Sequence, residues 1–217
     1  MAKPSKKAIV AALLDEHGTT YAEEAGIAVE KNTPSPLFRL LCLSLLQSAR
    51  INSDIAMRAA KGLAKRRWNT AEAMLGSTWK QRVDVLNAAG YTRYQERTST
   101  MLEDTARLLD ERWKGDLRNL REEAGRDAAA ERKLLKRCKG MGDVGVDIFL
   151  REVQVAWDEL HPFADRRALA SAKRLGVGTT PDELARQVSR NDFARLVAAL
   201  VRVELAGDHD AVLAAAR

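Results

Sequence analysis

The chain has 217 residues, of which 46% are hydrophobic and 30% are charged, and this is the composition of an ordinary folded globular protein. It excludes collagen, an intrinsically disordered chain and a disulfide-stapled miniprotein. Lysine and arginine number 36 against 30 aspartate and glutamate residues, so the formal net charge is +6 at pH 7. A net charge of this size favours a polyanionic partner only weakly.

Cysteine and histidine are too few for the common metal and redox sites. The two cysteines, Cys42 and Cys138, cannot form a four-thiolate cluster and stand too far apart for a paired-thiol redox motif. With three histidines, a dedicated zinc site is not expected. We expect two reduced core thiols in a cytoplasmic protein.

The N-terminal segment has the charge pattern of a signal peptide but is expected to form a helix. Three lysines precede the apolar run 8–14, and the polar residues 15–17 follow that run at once. No stretch of the chain approaches the length of a membrane span, so no membrane contact is expected.

Helix-forming residues and apolar positions three to four residues apart predict an all-α protein. We expect two packed helical lobes within a single unit over 1–217, with no flexible linker between them. The predicted helices, in chain order, are 5–16, 36–49, 53–66, 78–88, 94–113, 128–138, 144–157, 166–175, 181–188, 191–204 and 208–216.

Several predicted helices have recognisable ends. Ser35 is the expected N-cap of the second helix, whose residues 37–46 are apolar almost all round and should be buried. Gly90 is expected to end a helix, and Asp127 to cap one. Thr180 is the expected N-cap of a further helix, with proline at its first position.

The segment 140–145 reads Gly-Met-Gly-Asp-Val-Gly, and Asp165 follows it by about twenty residues. This spacing imitates a dinucleotide-binding fingerprint, which needs a β-strand on each side of the glycine-rich turn. The residues before Gly140 instead have helical spacing and many cations, and Pro162 lies within the second expected strand. The pattern therefore favours two helices joined by a tight glycine turn.

Such a turn is suited to a DNA phosphate. Gly140 and Gly142 let the chain reverse closely and expose N–H groups at the start of the next helix. Gly145 should let the two helices approach closely. Four flanking cations supply charge without base specificity, namely Lys133, Lys136, Arg137 and Lys139. A purely structural helical hairpin is the alternative.

The segment 135–148, followed by Asp165 at the start of another helix, resembles the helix-hairpin-helix DNA glycosylase superfamily in its endonuclease III-like branch. The segments 36–50 and 90–113 resemble further recurring features of that fold, so the likeness covers roughly 30–205. It implies an all-α, two-lobed glycosylase fold with the helix-hairpin-helix motif at about 128–157.

The resemblance implies a function in base excision repair of DNA. Such enzymes bend double-stranded DNA, extrude one nucleotide and break the N-glycosidic bond of a damaged or mismatched base. Asp165 matches the carboxylate that stabilises the positive charge on the deoxyribose and activates water. The alternative is that Asp165 is only the N-cap of the helix 166–175, and both roles can hold together.

Departures from the family pattern restrict the expected chemistry. Val144 stands where lyase-active members carry a lysine nucleophile, so we expect base removal by water without Schiff-base lyase activity. No cysteine follows Cys138, so the family's iron–sulfur cluster and any other cofactor are not expected. A monovalent cation at the hairpin carbonyls stays open. The absence of an acid from 37 to 50 disfavours the adenine-mismatch reaction.

The resemblance also implies a set of DNA-binding residues, and we expect a cytoplasmic, nucleoid-associated monomer. Arg50 matches a position that fills the gap left by the extruded base, and Tyr91 one that wedges into the opposite strand. A solvated arginine and a half-buried packing tyrosine are the alternatives. Arg166 and Arg167 could tune Asp165, contact phosphate or be solvated. The hairpin residues expected to contact DNA are Lys139, Gly140, Gly142, Val144 and Gly145.

Two other functions remain open from the sequence. The first is a non-catalytic protein that binds damaged, bent or abasic DNA, which would not need Asp165. The second is an abasic-site lyase that uses a different amine, such as the N-terminus or Lys139. Which base is removed is not readable from the chain.

Overall fold

The computed structural model describes residues 4–217, and within that range it contains fourteen α-helices, two short 3-10 helices and no β-strand. The all-α prediction is therefore confirmed. In chain order the α-helices are α1 Lys6–His17, α2 Tyr21–Glu24, α3 Pro34–Ser48, α4 Ser53–Lys65, α5 Ala71–Leu75, α6 Trp79–Ala88, α7 Gln95–Trp113, α8 Leu117–Glu123, α9 Ala128–Leu135, α10 Asp143–Val153, α11 Arg166–Leu175, α12 Pro181–Ala185, α13 Arg190–Ala206 and α14 His209–Ala215.

The chain divides into two compact units. One comprises the residues up to Glu24 together with Leu150–Arg217, and we call it the terminal unit. The other comprises Ala25–Phe149, and we call it the central unit. Within the described residues, no helix combines the length and apolar character that crossing a membrane requires.

The central unit is built around α3, as its all-round apolar sequence predicts. Leu37, Leu40, Leu41 and Leu43 have no exposed surface, and α3 packs against α4 and α8. The helix begins at Pro34 with Thr33 as its N-cap, so the prediction of Ser35 is wrong. A proline is tolerated in the first turn, where backbone N–H groups lack helical partners, and two prolines therefore fit inside this helix.

The terminal unit is organised around α13, which packs against both α1 and α11. Nine of its seventeen residues are buried, from Phe193 to Val203. Helix α11 ends at Gly176, whose φ of +75° is the left-handed conformation that glycine adopts without strain. This arrangement places the start of α11, and Asp165 with it, on a packed helix rather than on a free loop.

The capping predictions that depend on local sequence are confirmed at three positions. The Asp127 carboxylate accepts a hydrogen bond from the Ala130 N–H at 2.8 Å, and the Thr180 hydroxyl accepts one from the Glu183 N–H at 3.2 Å. Gly90 follows the end of α6 with a φ of +85°. These caps fix where α9, α12 and α6 begin or end.

Both cysteines are buried in the central unit. Cys42 lies on α3, and Cys138 lies in the segment between α9 and α10. Removal from water disfavours a thiolate and raises the pKa of each thiol to about 12. Both are therefore protonated core residues at neutral pH.

Candidate nucleic-acid interface and carboxylate site

The glycine turn between α9 and α10 belongs to the central unit and is anchored to it. Gly140 has a φ of +86°, and a Cβ atom at this position would lie 2.7 Å from the Met101 sulfur. The Thr105 hydroxyl donates to the Lys139 carbonyl at 3.3 Å, and the Ser48 hydroxyl donates to the Gly140 carbonyl at 3.4 Å. Both the backbone conformation and the close packing therefore require glycine at position 140.

Gly142 and Gly145 differ in their surroundings. A Cβ atom at Gly142 would meet no atom within 4 Å, so neither packing nor a positive φ requires glycine there. A Cβ atom at Gly145 would lie 3.0 Å from the Met141 sulfur and 3.3 Å from the Cβ atom of Ser48. Gly145 thus permits α10 to approach the end of α3 closely. The sequence predicts instead that Gly145 permits α10 to approach α9.

Part of the positive charge near the hairpin is paired within the hairpin. Lys136 forms an ion pair with Asp143, the first residue of α10, and Arg132 forms one with Asp147. The hydrogen bond from Lys136 holds the pKa of the Asp143 carboxyl below its usual value. Asp143 therefore competes with any external anion for Lys136.

The other cations of the hairpin segment are on the surface. Lys133 and Arg137, one helical turn apart, line a shallow groove with Arg112, and Lys139 is exposed beside Gly140. Val144, in the first turn of α10, is 53% exposed. The surface at the start of α10 thus offers backbone, an apolar side chain and nearby positive charge, and position 144 carries no amine.

The two loop residues expected to replace an extruded base behave differently. Arg50 is exposed and follows the end of α3. Tyr91 has no exposed surface, and its hydroxyl donates to the Leu46 carbonyl at 3.2 Å. Burial raises the pKa of the Tyr91 hydroxyl. The packing alternative therefore describes Tyr91, and its ring is not available in this conformation to stack on a base.

Asp165 belongs to the terminal unit and is 8% exposed. Its Oδ1 atom accepts hydrogen bonds from the N–H groups of Arg167 and Ala168, both at 2.9 Å, which makes Asp165 the N-cap of α11. Its Oδ2 atom accepts a hydrogen bond from a guanidinium nitrogen of Arg151 at 2.6 Å. A carboxylate has about four acceptor positions, so three of them are filled.

Arg151 contacts Asp165 in the candidate site and was not predicted from the sequence. It is 3% exposed, its guanidinium lies 5.4 Å from the centre of the Tyr21 ring, and its Nε atom lies 3.8 Å from a carboxylate oxygen of Glu152. The other Glu152 oxygen accepts from the Ala22 N–H at 2.9 Å. The sequence does contain an indication of this contact, because the charged residues Arg151 and Glu152 interrupt the apolar end of α10.

The buried carboxyl of Glu152 has a raised pKa, chiefly because burial disfavours its charged form. Arg166 and Arg167 are both exposed, and Arg167 contacts Asp165 through its backbone N–H. Among the described residues, no group of three or more histidine, cysteine, aspartate or glutamate side chains is arranged to hold a metal ion.

No protein-family model matches the chain, and no curated protein matches it by sequence. The solved structures similar to this chain include complexes of endonuclease III with DNA. A non-covalent endonuclease III–DNA complex matches with a TM-score of 0.50 and 14% identity, over 78% of this chain and 72% of that one. A trapped endonuclease III–DNA covalent intermediate, the estranged-adenine complex, matches with a TM-score of 0.49 and 14% identity, over 75% and 71%. The non-covalent complex shows that this chain shares the helical fold of endonuclease III.

Proposed function

We propose that this protein is a DNA repair glycosylase that binds double-stranded DNA and removes a damaged or mismatched base by hydrolysis. The observation that carries the proposal is the buried carboxylate of Asp165, which caps the helix after the hairpin in a chain of this fold. One acceptor position of that carboxylate remains for water. As proposed, the protein acts as a monomer on the nucleoid and uses no cofactor.

The hairpin is the proposed contact with the DNA backbone. N–H groups at the start of a helix attract a phosphate, and the open surface at Gly142 permits a close approach. Lys139 and the exposed cations Lys133 and Arg137 add attraction that does not depend on sequence. Arg50 is exposed and is the proposed residue that fills the gap left by an extruded base.

The proposed chemistry follows from a carboxylate and water alone. As the bond between C1′ and the base nitrogen breaks, its electron pair leaves with the base and positive charge develops on the sugar. The Asp165 anion stabilises that charge and accepts a proton from the attacking water, whose oxygen bonds to C1′. The departing base takes up a proton from solvent, and the products are the free base and an abasic site. Val144 cannot form an imine, so this route includes no lyase step through that position.

The second candidate function is a protein that binds damaged or abasic DNA without catalysis. The contact between Arg151 and Asp165 favours it, because a carboxylate paired with a buried cation exerts a weaker field on a nearby positive charge. The hydrolase and the binder therefore differ in one measurable property, which is whether the DNA loses a base.

The test is an excision assay on DNA that contains uracil, oxidised pyrimidines, alkylated purines or mismatches, followed by alkali to cleave abasic sites. We expect product from at least one substrate, and its loss in Asp165→Asn, because the amide oxygen can still cap α11 but carries no charge. Asp158→Asn is the matched control, since Asp158 is an acid of the same unit whose side chain is 84% exposed. No product on any substrate would favour the binder. A protein–DNA adduct trapped by borohydride would contradict hydrolysis without lyase chemistry.

A further inference from the structure

Arg151 binds the one oxygen of the Asp165 carboxylate that does not cap α11. The helix cap requires only Oδ1, which accepts from two backbone N–H groups. The Oδ2 atom, which capping does not use, is held by Arg151 at 2.6 Å. Both side chains are less than 10% exposed, so solvent does little to weaken this pair.

Arg151 is held differently from the other buried arginine of the chain, Arg82. The Arg82 guanidinium donates to the Ser77 carbonyl at 2.7 Å and to the Ser99 carbonyl at 3.2 Å, and it also pairs with Glu103. The Nε atom of Arg151, by contrast, is buried without a hydrogen-bond partner among the described residues. Arg151 thus lacks the set of carbonyl acceptors that fixes Arg82.

The neighbouring carboxylate does not complete the coordination of Arg151. The Nε atom and the nearest Glu152 oxygen are 3.8 Å apart, which is beyond hydrogen-bond distance, and that Glu152 oxygen also has no partner. The 2.6 Å bond to Asp165 is therefore the closest polar contact between Arg151 and a carboxylate. The charge of Arg151 therefore opposes the negative charge of Asp165 at hydrogen-bond distance.

We propose that Arg151 is a positioning residue that restrains Asp165. The guanidinium occupies Oδ2 and neutralises the carboxylate, so the anion is only partly available to stabilise a glycosyl cation. Removal of the Arg151 charge then accelerates base removal without changing DNA affinity. The inference rests on the proposed hydrolase function and adds to it the residue that limits its rate.

The experiment is a single-turnover excision assay with enzyme in excess, on the best substrate of the panel, with DNA affinity measured in parallel by fluorescence anisotropy. We expect Arg151→Gln to raise the rate constant about tenfold or more, while the dissociation constant stays within about twofold. Arg151→Lys keeps a cation beside Asp165 and should keep the slow rate. In Arg151→Gln combined with Asp165→Asn the gain should disappear.

A second variant allows the rate to be measured if Arg151→Gln does not fold. Loss of Arg151 removes the stronger of the two cations, Arg151 and Arg202, that stabilise the charge of buried Glu152. Arg151→Gln combined with Glu152→Gln removes that carboxylate, while an amide oxygen can still accept from the Ala22 N–H. Either folded variant is sufficient for the rate measurement. A merely structural Arg151 would give variants that are less stable and no faster.

The outcomes separate the two proposals. If wild type excises a base, Asp165→Asn is slower, and neither folded Arg151 variant exceeds wild type, the restraint is wrong and the hydrolase stands. If wild type and both Arg151 variants give no product on any substrate, both the hydrolase and the restraint are overturned. A faster Arg151 variant whose gain requires Asp165 supports both.

Discussion

The helices α10 and α11 each begin with a carboxylate that is paired with a basic side chain, and these two pairs differ in exposure. Asp143 at the start of α10 pairs with Lys136, and the side chains are 73% and 40% exposed. Asp165 at the start of α11 pairs with Arg151, and these are 7% and 4% exposed. Exposed pairs contribute little and exchange partners readily, whereas breaking a buried pair leaves a charge without compensation. The exposed pair at α10 is therefore suited to exchanging Asp143 for a DNA phosphate. The buried pair at α11 is suited to holding Asp165 in a fixed position.

Replacement of each carboxylate by alanine should give the largest difference between the two pairs, measured as the loss in the free energy of unfolding. We expect Asp165→Ala to lower the free energy of unfolding by about 3–5 kcal/mol, because it removes a helix cap and leaves Arg151 buried without its partner. We expect Asp143→Ala to cause a much smaller loss that fades with added salt. Urea unfolding of both variants measures the difference, and equal losses would contradict the contrast in exposure.

The two glycines before α10 test whether the exposed helix start is a binding surface or only a turn. We expect Gly140→Ala to cost about 1–2 kcal/mol, because φ is positive there and the new methyl group meets Met101. We expect Gly142→Ala to change stability by less than about 0.5 kcal/mol and yet to weaken DNA binding, since the methyl group projects into open space where a phosphate would approach. Unchanged DNA affinity in folded Gly142→Ala would contradict the proposed contact.

Asp143→Asn tests whether Lys136 exchanges its ion pair with Asp143 for a contact with DNA. The substitution releases Lys136 toward DNA, so we expect DNA affinity to rise several-fold at low salt and the slope of log K against log salt to steepen by about one. Asp84→Asn is the matched control, because Asp84 is an exposed acid of the same unit that pairs with Lys80 and with no cation of the hairpin. Affinity that does not rise would mean that Lys136 serves only to close the hairpin.

The smallest expected effect is on the pH dependence of stability, and its sign differs between the two regions. The pKa of Asp143 is lowered from 3.8, so its contribution is present above that pH and is lost as the pH falls through the folded pKa. The pKa of Glu152, beside the buried pair, is raised from 4.5, so stability is greater below 4.5 and is lost as the pH rises toward the folded pKa.

Urea titrations at several pH values between 3 and 8 measure both contributions. Asp143→Asn should flatten the acid side of the stability profile, and Glu152→Gln should remove the loss on the other side. A Glu152→Gln variant that loses stability at neutral pH would contradict a carboxyl whose charged form is disfavoured in the folded state.

Most of the fold was predictable from the sequence because it depends on local patterns. Eleven helices were predicted within a few residues, and the caps at Asp127 and Thr180 were read from neighbouring residues. The helices α2, α5 and α8 were missed because four to seven residues do not establish an apolar period. The start of α3 was misplaced because the first turn of a helix accepts either proline as readily as the other.

The candidate site was less predictable, because its important contacts join residues that are distant in sequence. Asp165 and its capping role were predicted, but its contact with Arg151 joins residues 14 positions apart on two different helices. The burial of Tyr91 under α3 depends likewise on a partner 45 residues away. Sequence patterns indicated candidate residues for the site and did not reveal which of those residues are hydrogen-bonded or buried within the protein.

Alkylation of the two buried thiols would report how often the central unit opens. Thiolates rather than thiols react with alkylating agents, and both Cys42 and Cys138 are buried with a pKa of about 12. Alkylation should therefore proceed only through molecules in which α3 or the segment before the glycine turn has opened. The labelling rate of the unmodified protein would then measure how often the hairpin region opens, and saturating DNA should slow that rate if the hairpin is where DNA binds.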